Sequence, residues 1–291
     1  MELCLYCAEQ LDGVATAAII TRYAKLKGEK TRFCGYLHNE TLTKELEQIK
    51  PETPTFILDI CPHEKHKPQI KKLKIIYWST HDPNAPQIPA KIFDHTKEKK
   101  CSAELAQKRF LPNDQIAKKL AKLAHEMTYW QQGEEATKLS NLIASKINPT
   151  QIIQALANGA TWSKTFEKKH KEYKQKKEQA LKNLIKTLTI KKYLKYNLGY
   201  AFASNILTTA DAGQKILDTH QGVDVSIILY KNGKIAFRKR NECEINLRKI
   251  AQLFDGGGHP YAAGASINKK ITKENFEKTI NEINSKLKEK Y

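Results

Sequence analysis

The run Asp255-Gly256-Gly257-Gly258-His259-Pro260-Tyr261-Ala262-Ala263-Gly264-Ala265 is the segment best suited to chemistry in this sequence. Three consecutive glycines let backbone N–H groups come close to a ligand. Pro260 suits the first turn of a helix, and the small residues after it would let that helix pack tightly. A glycine-rich loop running into a helix N-terminus is a ready-made anion site, so a phosphate cradle followed by a helix is expected. His259 adds a donor for a phosphate oxygen and Arg238 a forked positive charge. The glycines alone would equally suit a tight structural turn.

Other reactive side chains are less organised. Cys4-x-x-Cys7 resembles half a zinc site, but no second CxxC or HxxxH follows, and a buried strand suits both residues better. The six cysteines are spread along the chain and read as reduced thiols rather than a disulfide framework. His63 and His66 lie in a proline-bounded, lysine-rich loop that reads as solvated surface. Trp78 in a strand and Trp130 on a helix suit an apolar core better than base stacking.

The elements that must position these groups form an α/β pattern. Strand-like runs at 3–7, 31–36, 55–60, 73–78 and 91–93 alternate with helical stretches, and the Ala-rich segment 14–27 suits the crossover of a βαβ unit. From Ser102 to about Ile147 the pattern turns helical, with Ile116, Leu120, Leu123 and Met127 forming one stripe. A lysine-rich helix is expected over about 162–188, its apolar positions Phe166, Tyr173, Leu181, Leu184, Ile185 and Leu188 bridging two domains. The last third reads as a smaller α+β unit. There Asn232-Gly233 between β-rich runs signals a hairpin, and 271–288 a closing helix.

Lys and Arg number 50 against 31 Asp and Glu, a formal charge of +19 that attracts polyanions, of which nucleic acid is the commonest. A generally lysine-rich proteome would produce the same excess. No apolar run is long enough to span a membrane and the N-terminus does not look like a secretion signal, so a cytoplasmic protein is expected, compatible with an archaeal source.

The stretch Lys234-Ile235-Ala236-Phe237-Arg238 followed by Gly256 to Ala265 resembles the C-terminal domain associated with DHH phosphoesterases, from about Asn197 onward. That resemblance implies that Arg238, Gly256, Gly257, Gly258 and His259 hold substrate phosphates. The N-terminal part resembles the family's catalytic domain, with departures. Where the family has H-x-D-x-D-G, this chain reads Ala8-Glu9-Gln10-Leu11-Asp12-Gly13. Asp59 fits the second motif, Ser79-Thr80-His81 stands where D-H-H is expected, and a later aspartate falls at Thr128.

Family enzymes hold two Mn2+ or Mg2+ ions with carboxylates and imidazoles, activating water and stabilising the departing oxygen. With most of that charge replaced, Asp12, Asp59 and His81 are expected to gather at most around one weakly held ion. Glu9, Asp82 or Asp94 are the nearest sources of substitute carboxylates, and Asp12 and Asp59 could instead serve as caps and turn formers. The resemblance therefore implies a RecJ-like protein in three parts: a DHH-like domain over 1–150, a helical connector over 151–195, and a phosphate-binding domain over 196–291. Single-stranded DNA or RNA would lie in a positive groove, with Lys239 and Arg240 extending the track. Degenerate relatives act as scaffolds in replication assemblies, so a replication or repair protein is the implied partner and no cofactor is expected. The competing expectation is an active Mn- or Mg-dependent exonuclease or phosphoesterase with a rearranged metal site.

Overall fold

A computed structural model describes residues 2–288 except 40, 130 and 132, so Trp130 lies outside the described residues. Contacts divide the chain into two compact units, 1–173 and 174–291.

The first unit is built on β1 (Glu2–Cys7), β2 (Lys30–Tyr36), β3 (Thr55–Leu58), β4 (Ile75–Ser79) and β5 (Phe93–Asp94). They form a five-stranded sheet in the order β2-β1-β3-β4-β5, and every neighbouring pair is parallel. Parallel strands need crossovers, and α1 (Leu11–Leu26) is the first. Its alanines and isoleucines at 15, 17, 18, 19 and 20 are completely buried, because α4 (Ser102–Phe110), α5 (Gln115–Thr128) and α7 (Pro149–Ala157) also pack on that face. The expected stripe lies there too, with Leu120 and Leu123 buried. Between α5 and α7, α6 (Glu134–Ala144) adds Leu139 and Leu142. The opposite face is covered by the short helices α2 (Leu42–Glu47) and α3 (Lys67–Ile70). Trp78 is fully buried and donates its indole N–H to the Ile60 carbonyl at 2.8 Å.

The helix α8 (Lys164–Lys186) buries Phe166 in the first unit's core and Leu184 in a cluster of the second. The second unit contains β6 (Thr189–Tyr193), β7 (Tyr196–Ala203), α9 (Thr209–Thr219), β8 (Val225–Tyr230), β9 (Lys234–Lys239), α10 (Leu247–Gln252), β10 (Gly257–His259), β11 (Ala262–Ser266) and α11 (Phe276–Lys288). Its six-stranded sheet runs β10-β11-β9-β8-β7-β6, with only β7 and β8 parallel. The Asn232-Gly233 hairpin is present, and Gly233 supplies the positive φ of 87° that its turn requires. One sheet face packs on α9, the other on α10 and α11.

Three expectations are corrected. Residues after Pro260 do not form a helix: Pro260 and Tyr261 make a two-residue turn, and Ala262 begins a strand paired with both β9 and β10. Alanine favours helix and glycine disfavours it, and pairing with a distant strand overrides both. The closing helix starts at Phe276 rather than 271, because Thr272 and Asn275 bond each other's backbone N–H in the turn before it. His66 is buried rather than solvated, its Nδ1 accepting the His63 N–H at 3.0 Å. Cys4 and Cys7 are both buried in β1, and all six cysteines are free thiols. No helix among the described residues is long and apolar enough to cross a membrane.

Candidate functional sites

Two clusters stand out, one in each unit. In the first, the chain leaves β1, β3 and β4 at their carboxyl ends and places Asp12, Asp59 and His81 there. Strand order reverses between β1 and β3, and such a switch point is where ligands of open α/β sheets bind. Gly13 allows this convergence, since a Cβ on it would sit 2.8 Å from the Ala8 backbone nitrogen. Asp59 holds a φ of 61°, a left-handed conformation that aspartate tolerates better than most residues.

One ligand atom from each of Asp12, Asp59 and His81 lies within 4.8 Å of the others. Both carboxylates are buried, and both are already engaged. Asp12 accepts the backbone N–H groups of Ser102 at 2.9 Å and Ala103 at 2.8 Å, capping the positive end of α4. Asp59 accepts the Gln10 side-chain amide at 2.7 Å on one oxygen. Its other oxygen receives the Ser102 hydroxyl at 3.1 Å and stands 2.8 Å from His81 Nδ1. His81 Nδ1 lies 3.5 Å from Asp12.

The charges follow from this geometry. Hydrogen bonds to Asp12 and Asp59 push the His81 imidazole up to about 10, so it is an imidazolium at neutral pH. Burial, then the neighbouring Asp12 charge, raises Asp59 to about 7, against the pull of His81 and Gln10. For Asp12 burial acts in the same upward direction, but His81 and the Ala103 and Ser102 N–H groups win and hold it below the usual carboxylate range.

The donor set does not fit a two-cation centre. Ala8 and Gln10 offer neither the imidazole nor the carboxylate that such a pair needs, and the remaining oxygens are bonded to N–H and O–H groups. Two carboxylates and an imidazole match the chemistry of a single hard cation, which would have to displace a proton from His81. The substitute carboxylates are committed elsewhere: Glu9 to Lys146 at 2.6 Å, Asp94 to Arg109 at 2.6 Å, and Asp82 to the Cys61 thiol at 3.2 Å. Thr128 donates to the Ala124 carbonyl at the end of α5 and is not in the cluster. Ser102 is the member that sequence reasoning missed; the only signal was the start of a helical pattern at that residue.

The second cluster lies on the edge of the other sheet. Arg238 pairs in register with Ala262, and Ala262 with His259, so Arg238 and His259 share one face, about two strand spacings or 10 Å apart. Between them the same face carries only Ala262, Gly264 and Gly257, which leaves the backbone bare. The three glycines play different parts. A Cβ on Gly258 would lie 2.6 Å from the Ala263 Cα, at a φ of 132°, and one on Gly256 would strike the Gly264 carbonyl. Gly257 has nothing within 4 Å. The Arg238 stem runs beneath α9, where a Cβ on Gly213 would come within 2.7 Å of the Arg238 Cδ. That glycine also escaped the sequence reading, because the contact joins residues 25 positions apart. Lys239 and Arg240 are half-buried, and Arg240 donates to the Val223 carbonyl at 2.8 Å.

Residues 196–289 match the DHHA1 domain family. No curated protein matches the sequence significantly. Among solved structures, RecJ from Thermus thermophilus in complex with Mn2+ superimposes with a TM-score of 0.66 at 12% identity, covering 99% of this chain and 52% of that one. This chain thus spans about half the length of that RecJ. A manganese-bound exonuclease RecJ gives 0.67 at 12% identity, covering 99% and 90%. CDC45 from Entamoeba histolytica gives 0.54 at 8% identity, covering 99% and 95%. Residues 196–289 thus form a DHHA1 domain, and the chain as a whole has the fold of these RecJ structures.

Proposed function

We propose that this protein binds single-stranded DNA or RNA as a non-catalytic scaffold or accessory factor in DNA replication or repair. The observation that carries the reading is that hydrogen-bond donors of the protein itself already bond the oxygens of the Asp12–Asp59 pair, with an imidazolium beside them. Gln10 meets the Asp59 oxygen as a neutral donor, so the pocket balances its charge without metal. In this reading 1–150 is a DHH-like domain kept for its fold, 151–195 a connector whose ends, α7 and β6, pack into the two units, and 196–291 the part that grips phosphate. Arg238, Gly256, Gly257, Gly258 and His259 make the phosphate contacts, and the +19 charge adds long-range, sequence-independent attraction. A replication or repair protein is the implied partner.

Convergence of Asp12, Asp59 and His81 within 4.8 Å favours a second reading, a Mn- or Mg-dependent exonuclease or phosphoesterase using one ion. Titrating Mn2+ into an assay on 5′- and 3′-labelled single strands separates the two. The scaffold reading expects salt-dependent binding, weakened by Arg238→Ala, with no cleavage at any Mn2+ concentration. Turnover that is lost in both Asp12→Asn and Asp59→Asn, which keep an oxygen acceptor for the α4 donors and a native Tm, would overturn it.

A further inference from the structure

Tyr261 is the one aromatic among the large hydrophobic side chains left exposed in the described residues, with 61% of its surface free. Its ring lies parallel to that of His259, at 5.3 Å and 9°, in a stacked arrangement. The turn that carries it is pinned, because Pro260 fixes one backbone torsion and its carbonyl accepts the Leu247 N–H at 3.0 Å. Tyr261 directly precedes Ala262, whose strand partners are Arg238 and His259. A rigid aromatic plate therefore stands at the margin of the bare, positively charged strip.

We infer that Tyr261 is a stacking platform for one nucleobase of a bound single strand, whose backbone phosphates lie along Arg238 and His259. The inference rests on the proposed nucleic-acid reading and adds a residue that contacts bases. Backbone phosphates meet the fixed charge and the strand edge, while a base turned away from them needs an apolar flat surface. Tyrosine supplies that surface with few rotatable bonds, and His259 behind it holds the plane of the ring. Because every base has a π-face, such a platform tolerates sequence and reads no particular base. Leu26, Ile190 and Leu194, the other large exposed hydrophobics, are aliphatic and lie off the row of Arg238, Ala262 and His259.

The test uses the full chain with two fluorescent probes of equal length, an oligothymidine and a strand of abasic sites. Tyr261→Ala is expected to raise the Kd for oligothymidine by about 5- to 150-fold, the worth of one stacked base. Tyr261→Phe should bind like the unaltered protein. For the abasic strand the unaltered protein and Tyr261→Ala should have the same Kd, and the salt dependence of binding should not change. Equal oligothymidine affinities for the unaltered protein and Tyr261→Ala would overturn the platform and leave nucleic-acid binding standing. An equal loss of affinity for both probes would also overturn it, since the residue would then act on phosphates or on folding. If the unaltered protein binds neither strand in a salt-dependent way, the nucleic-acid reading falls and the platform with it.

Discussion

Replacing Gln10 by glutamate exchanges one donating amide nitrogen for an oxygen, 2.7 Å from an oxygen of the buried Asp59 carboxylate. Two negative oxygens at that distance repel by about 6 kcal/mol at an effective dielectric constant of 20. A bound proton removes the repulsion. Relative to a free glutamate of pKa about 4.3, holding that proton at pH 8 costs about 1.4 × (8 − 4.3), or roughly 5 kcal/mol. The smaller figure wins, so Gln10→Glu takes up a proton on folding. At pH 4.3 and below the protonated acid still donates to Asp59, and the variant should match the unaltered protein. Between pH 4.3 and about 7 the wild-type fold already holds an extra proton on Asp59, so the two stabilities run in parallel; above 7 only the variant keeps its extra proton, and its stability falls relative to wild type by about 1.4 kcal/mol per pH unit. For a unit of residues 1–173 this corresponds to about 3–6 °C in Tm at pH 8. Thermal unfolding with EDTA at pH 4.3, 6 and 8 reads the difference directly. Added Mn2+ should return part of the loss, because the variant adds a carboxylate beside the Asp12, Asp59 and His81 cluster. A Tm difference that does not vary with pH, or a variant more stable at pH 8 without metal, would refute the reasoning.

Asp12→Ala strips the acceptor from two N–H groups of α4 and should cost about 3 kcal/mol in urea unfolding; unchanged or raised stability would mean that Asp12 is not a cap. The raised pKa of His81 means that its stabilising charge is complete below about pH 6.5. It is lost as pH climbs toward 10, so His81→Gln should flatten that part of the stability profile. Gly213→Ala places a methyl against the Arg238 stem and should weaken oligonucleotide binding, whereas Gly222→Ala, with open space around it, should not, as fluorescence anisotropy will tell. Gly258→Ala should lower Tm while Gly257→Ala leaves it unchanged, because only the former forces a methyl onto the β11 backbone at a positive φ.

The alternation of strands and helices in the first unit was legible because period and composition agreed. The Ala-rich crossover α1 and the Asn232-Gly233 hairpin both announce themselves locally. The segment after Pro260 misled because its glycines and alanines are compatible with several backbones. Its strand exists through pairing with Arg238 and Phe237, more than twenty residues earlier, and local reading cannot supply such a partner. The frame around Asp12 pointed to missing metal ligands, but the residues that replaced them functionally, Gln10 as a donor and Ser102 as a hydroxyl from another helix, are visible only in three dimensions. Gly213 is legible as a glycine and nothing more until α9 is laid over Arg238.

The bonds from Asp12 to the start of α4 change what a standard genetic experiment on this protein would mean. Alanine at a buried carboxylate is a common way to test whether a protein needs hydrolysis, and a cell that fails with such an allele is read as needing it. Here such alleles at Asp12 or Asp59 remove an internal brace, and about 1–3 kcal/mol of lost stability is enough to change abundance several-fold through proteolysis. Immunoblots of steady-state level, beside alleles such as Arg238→Ala that leave the brace in place, would separate a vanished polypeptide from a silenced one.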